Sequence, residues 1–131
     1  MKYIFLIYLL FSVSATANEV RISHCNGSCP TGTPKTNTLV VTPIYALSNN
    51  EETKFADWVA YQVTPSTIGT SADHGRTWKA DPQLEDDETL EPGDYRGASD
   101  ALNIDRGHQA PLAAFSGTVY WRMTNYLSNI T

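Results

Sequence analysis

Apolar positions in this chain cluster in a few well-separated runs. After an N-terminal apolar stretch from Tyr3 to Val13, "NTLVVTPIYALSNN" and "TKFADWVAYQVTP" are rich in β-branched and aromatic residues. They read as neighbouring antiparallel strands joined by the polar turn "SNNEET". Pro43 inside the first run predicts an edge position or a bulge, because proline has no N–H for a ladder. From Ser66 to Gly97 the chain is mostly Gly, Pro, Thr, Asp and Glu, with Trp78, Leu84, Leu90 and Tyr95 as anchors, which reads as a long loop on a scaffold. "DYRGASDALNI" predicts one helical turn, "APLAAFSG" a turn, and "TVYWRMTNYLSNIT" β structure from 118 to 131. The expected class is α+β, an antiparallel β-sheet with long loops and little helix.

The first apolar stretch follows Lys2 and leads to Ala15 and Ala17, the layout of a secretory signal peptide spanning 1–17 with cleavage before Asn18. A buried element or an uncleaved anchor is the competing reading, but the run is shorter than the ~20 residues of a membrane-spanning helix. Cleavage would leave residues 18–131, one modest domain, secreted or periplasmic and without membrane attachment.

Removing Lys2 leaves 8 Lys+Arg against 14 Asp+Glu, a net charge of −6. A protein that coats nucleic acid carries a basic stripe, so passive binding is disfavoured. An enzyme needs cations only where the scissile phosphate sits. Seven of the acids fall within residues 81–94, which have no Lys or Arg and read as a solvated loop. A calcium site there lacks the D-x-[DN]-x-[DN]-G spacing.

Cys25 and Cys29 lie in "HCNGSCPTGTP" among turn-forming residues, and export would place them in an oxidising compartment, so a disulfide is expected. A metal site using His24 lacks the paired ligand spacing of a structural zinc module.

The chemistry concentrates in "DRGHQAPLA", residues 105–113. An imidazole accepts a proton near neutral pH if a neighbour fixes its tautomer. Around His108, Asp105 and Arg106 bring charge, and Gly107 permits close backbone approach. The bland alternative is an Asp–Arg surface pair beside a structural histidine. At average residue usage a fixed four-residue string turns up in a chain of this length with a probability on the order of 10⁻³.

The flanking residues also match a pattern. D-R-G-H-Q-x-x-x-A, with Ala113 last, resembles the signature of the DNA/RNA non-specific endonucleases, the sugar-nonspecific ββα-metal or His-Me finger nucleases. "NYLSNIT", "GRTWKADP", "TKFADWVAYQVT", the C-x-x-x-C-P-T-G start and residues 88–98 extend the resemblance over essentially the whole chain after the leader. It implies a Mg²⁺-dependent endonuclease that hydrolyses DNA and RNA without sequence specificity. His108 matches the general base, and Arg76 and Arg106 match arginines that bind the phosphate and stabilise the transition state. Asn129, and more loosely Asn125, match asparagines that hold the finger and the metal's water shell. The physics agrees: phosphodiester hydrolysis needs a base for water, cations for developing charge, and usually a metal at the leaving oxygen. Contacts confined to phosphate and sugar give indifference to sequence.

In the family's finger two strands precede a helix, with DRGH on the first strand and "NYLSNIT" leading out of the second. That helix would lie beyond Thr131, with the metal ligand, a Glu that orients metal-bound water, and further along a second disulfide. Residues 18–131 are therefore expected to be the N-terminal portion of the nuclease domain, inactive and poorly folded alone, with an uncovered apolar face containing Trp58, Tyr61, Trp121 and Tyr126. The alternatives are a short secreted nucleic-acid-binding module without catalysis, or a small disulfide-bonded protein with no nucleic-acid role. The acidic charge opposes the former, and the latter leaves the signature unexplained.

Overall fold

The computed structural model describes residues 22–131, so the expected signal peptide 1–17 and its cleavage site lie outside the described residues. Three short strands, β1 (Thr38–Val41), β2 (Ala46–Asn49) and β3 (Ala56–Ala60), form an antiparallel sheet in sequential order. The run 37–50 is thus a hairpin of two strands, with Val40 opposite Leu47 and Val41 opposite Ala46. Pro43 sits in its turn, neither at an edge nor in a bulge. Its fixed φ suits the second position of a β-turn, and Thr42 closes that turn. The Thr42 N–H donates to Tyr45 O at 2.8 Å, while its hydroxyl oxygen accepts from Ile44 N and Tyr45 N. A bulge does occur, in the pairing of β2 with β3 at Ser48/Asn49, where Asp57 is skipped.

Every residue of the central strand β2 is buried. Leu47 joins Val40, Ile44, Tyr45, Leu84, Ala110, Ala114 and Phe115 in the core, and Tyr61 packs edge-on against Phe115 with centroids 5.6 Å apart. Burial of the large side chains among them stabilises the fold by roughly 1.5–3 kcal/mol each. The helices are short: α1 (Ala98–Leu102), as expected, and α2 (Leu112–Phe115), which drives Leu112, Ala114 and Phe115 inward.

The segment expected to be β structure from 118 to 131 is instead mostly 3-10 turns, Trp121–Asn125 and Leu127–Asn129. Polar side chains close these turns locally, with Thr124 Oγ1 donating to Trp121 O (2.7 Å) and Asn129 Nδ2 to Thr124 O (2.9 Å). Such bonds compete with a ladder and here outweigh β propensity. Only single residues bridge: Tyr126 to Lys79 in parallel, and Ile130 to His108 antiparallel. Trp121 and Tyr126, like Trp58 and Tyr61, are half-buried, so these aromatic residues do not form the uncovered face expected of them.

The acid-rich loop is not uniformly solvated. Asp81 is only 1% exposed, accepting from the Ser128 hydroxyl and from Gln83 N, and so ties the loop to the 3-10 segment. Cys25 and Cys29 form the expected disulfide, and His24 donates to Thr42 O at 2.7 Å. Segments 66–69 and 116–117 run in backbone contact. A Cβ on Gly117 would lie 2.9 Å from Ile68 O, so glycine is required for this approach.

Candidate active site

The antiparallel contact between 107–109 and 129–131 sets the histidine in place. Gly107 N donates to Thr131 O (2.8 Å), Thr131 N to Gly107 O (2.9 Å) and Gln109 N to Asn129 O (2.9 Å). Side chains on adjacent residues of an extended segment point to opposite sides, which leaves His108 facing away from its neighbours. Behind it, Asn129 is fully buried. Its Oδ1 accepts from Ala110 N (2.7 Å), and its Nδ2 donates to Ala110 O (3.0 Å) and Thr124 O. Its hydrogen-bonding groups are thus engaged by backbone, in a position that clamps the DRGHQA segment rather than one open to substrate.

Asn125 is the asparagine that meets the histidine. His108 Nε2 donates to Asn125 Oδ1 at 3.1 Å, and Asn125 Nδ2 donates to Gly75 O at 3.3 Å. The Gly75 carbonyl accepts only from the NH₂ end of the amide, so the oxygen end faces the ring. An amide oxygen cannot donate, so the proton resides on Nε2 and the lone pair on Nδ1. Burial pushes the His108 imidazole below its ordinary value of 6.5. The bond to Asn125 works in the opposite direction, and the nearby Arg76 guanidinium lowers it again. The ring is accordingly held neutral and basic at Nδ1 at neutral pH.

Arg76, Trp78, Asp105, Arg106 and His108 line one open cleft of 430 Å³. Both predicted arginines therefore share a space with His108, brought together from segments 30 residues apart in sequence. Arg106 lies over two aromatic rings, its guanidinium carbon 4.9 Å from the Trp78 centroid and 5.5 Å from that of Tyr95. The Trp78 ring is also 5.3 Å from the imidazole. Cation–π attraction restricts the guanidinium while leaving its N–H groups free for an anion. By sequence Trp78 and Tyr95 are only loop anchors; the one sign of a further role is the position of Trp78 two residues after Arg76.

Magnesium takes oxygen ligands and is held through one or two carboxylates plus water and substrate oxygens. Among the described residues no three of His, Cys, Asp or Glu converge on one point. Asp105 is the carboxylate among the cleft's lining residues, and the amide oxygens of Asn125 and Asn129 already accept hydrogen bonds. These groups do not amount to a magnesium site. Among the described residues no helix is long and apolar enough to cross a membrane.

Residues 26–131 match the family described as DNA/RNA non-specific endonuclease. The chain is also 47% identical, over 131 residues, to the Nuclease of Serratia marcescens, an alignment that covers 99% of this chain and 48% of that protein. It thus spans about half the length of the curated relative it matches. A half-buried, tautomer-fixed histidine sharing a cleft with two arginines, in a sequence matched from Asn26 to the last residue, leads to one conclusion: the chain belongs to the DNA/RNA non-specific endonuclease family.

Proposed function

We propose that this cleft hydrolyses phosphodiester bonds in DNA and RNA without sequence specificity, with His108 as general base. The observation that carries the reading is the His108–Asn125 hydrogen bond, which leaves the Nδ1 lone pair free in the cleft that Arg76 and Arg106 line. His108 Nδ1 takes a proton from water as its oxygen attacks phosphorus. Arg106, held over Trp78 and Tyr95, and Arg76 bind the non-bridging oxygens and offset the negative charge that grows on them. The bond from phosphorus to the 3′ oxygen then breaks and that oxygen takes a proton from solvent, so products carry 5′-phosphate and 3′-hydroxyl ends. Asn125 fixes the base's tautomer, and Asn129 positions the segment that bears it. The family resemblance further supports Mg²⁺ as the ion of the working enzyme and DNA and RNA as its substrates. The Lys2-led apolar leader supports secretion or periplasmic export.

The test joins residues 18–131 to the remaining half of the Serratia marcescens Nuclease and follows plasmid nicking and RNA cleavage with Mg²⁺. His108→Ala is expected to slow both by ~10²–10⁴-fold, the usual worth of a general base. An undiminished rate in that variant would remove His108 from the mechanism.

A further inference from the structure

Beside the catalytic cleft, across Asn125, runs a second groove of 260 Å³ lined by Thr77, Lys79, Trp121, Arg122, Asn125 and Tyr126. Two of these residues are cations, two are aromatic and none is acidic, in a chain whose formal net charge is −5. The segment 76–79 forms the partition, with Arg76 and Trp78 facing the cleft and Thr77 and Lys79 facing the groove. That is the alternation of an extended backbone. Lys79 is fixed at its backbone, accepting from Leu127 N (2.9 Å) and donating to Asn125 O (3.2 Å), so its exposed side chain starts from a rigid point.

Arg122 is also pre-set. Its guanidinium carbon lies 4.5 Å from the Trp121 centroid, and the His74 ring stacks on the same indole at 4.1 Å and 16°. The guanidinium and the imidazole thus both pack on one indole. His74 Nε2 is in turn anchored to Ser116 O at 2.9 Å, where the glycine contact at 117 holds the backbone. A stack of His74, Trp121 and Arg122 thus presents an otherwise mobile cation at the groove, which the catalytic reading does not require.

We propose that this groove is a subsite for a single nucleic-acid strand, in which Lys79 and Arg122 hold a phosphate next to the scissile one and Tyr126 provides an aromatic surface for the neighbouring base. A cationic track with aromatic side chains is the sequence-tolerant way to bind single strands. The inference rests on the nuclease reading of the cleft and extends it from one phosphate to a stretch of strand. Asn125, lining this groove while bonded to His108, puts the added phosphate one residue from the base.

The test measures binding of a fluorescein-labelled oligothymidylate octamer to the full chain in EDTA, which prevents cleavage, across a series of salt concentrations. Lys79→Ala with Arg122→Ala should weaken binding roughly tenfold at low salt and reduce the slope of log affinity against log salt by about 0.7, the share of one single-strand phosphate contact. Arg122→Glu should weaken it further, and Lys35→Ala, an exposed charge in the loop before β1, should leave the slope unchanged. Thermal unfolding of each variant separates lost binding from lost fold. Wild-type slope and affinity in the folded double variant, or an equal loss in Lys35→Ala, would overturn the subsite. No measurable binding by the wild-type chain would overturn it together with the cleft reading. Unchanged binding in Arg106→Ala alongside a loss in the Lys79/Arg122 variant would keep the groove and remove the cleft as a phosphate site.

Discussion

His108 Nε2 and Asn125 Oδ1 lie 3.1 Å apart, and this contact assigns the ring's proton and therefore its basic nitrogen. A pH dependence follows. Catalysis by Nδ1 requires the neutral imidazole, and burial together with Arg76 lowers the pH at which the ring becomes neutral. The acidic limb of the pH–rate profile of the chimeric enzyme should therefore fall below the ordinary histidine value of 6.5. Arg76→Met should move the limb to higher pH as well as reducing the rate. A limb unchanged in that variant would show that Arg76 exerts no field on the ring.

The same titration has a consequence for stability. Because the folded state holds the His108 proton less tightly than the unfolded chain does, its contribution is present above the unfolded value and is lost as pH falls through the folded one. Urea midpoints recorded from pH 7.5 to 5 should decline more steeply in the native chain than in His108→Phe. Parallel curves would count against the depressed value.

Arg106→Lys should damage turnover by about tenfold or more while leaving the fold intact. An ammonium reproduces neither the planar hold on phosphate nor the stacking over Trp78 and Tyr95. Trp78→Leu should reduce the rate in the same direction by releasing the guanidinium. Full activity in Arg106→Lys would mean that a point charge suffices there.

Asn129→Ala should act through stability. Removing its amide leaves Ala110 N, Ala110 O and Thr124 O without these partners in a buried position, at a cost of about 2–4 kcal/mol. Denaturant unfolding measures this directly. A variant of native stability with abolished cleavage would instead place Asn129 at the reaction.

Intact-mass analysis of exported protein should find it beginning at Asn18, if residues 1–17 are the expected signal peptide, with no alkylatable thiol, as the Cys25–Cys29 bond requires. Because the bond closes a loop of only four steps, its reduction should cost no more than about 2 kcal/mol. Retention of residues 1–17 would refute the signal-peptide assignment.

What the sequence determined by itself is what a short contiguous string can hold. "DRGHQAPLA" carried the histidine proposed as base, one arginine and the family resemblance, and "GRTWK" carried the second arginine. Two cysteines left one possible pairing, and the α1 turn followed from local composition. The hairpin within 37–50 needed the Thr42 side chain to turn Pro43 from an interruption into a corner. The 3-10 path of 121–129 needed its own hydroxyl and amide bonds to prevail over strong β-formers. Tertiary structure alone decided which asparagine meets the histidine. Asn125 and Asn129 are four residues apart in one motif, and only the return of the chain beside Lys79 and Gly107 turns the former to the imidazole and the latter to buried backbone. The stacking of Arg106 over Trp78 and Tyr95 was equally hidden, because a side chain's orientation depends on the surface that distant segments bring to it, and no local pattern encodes that surface.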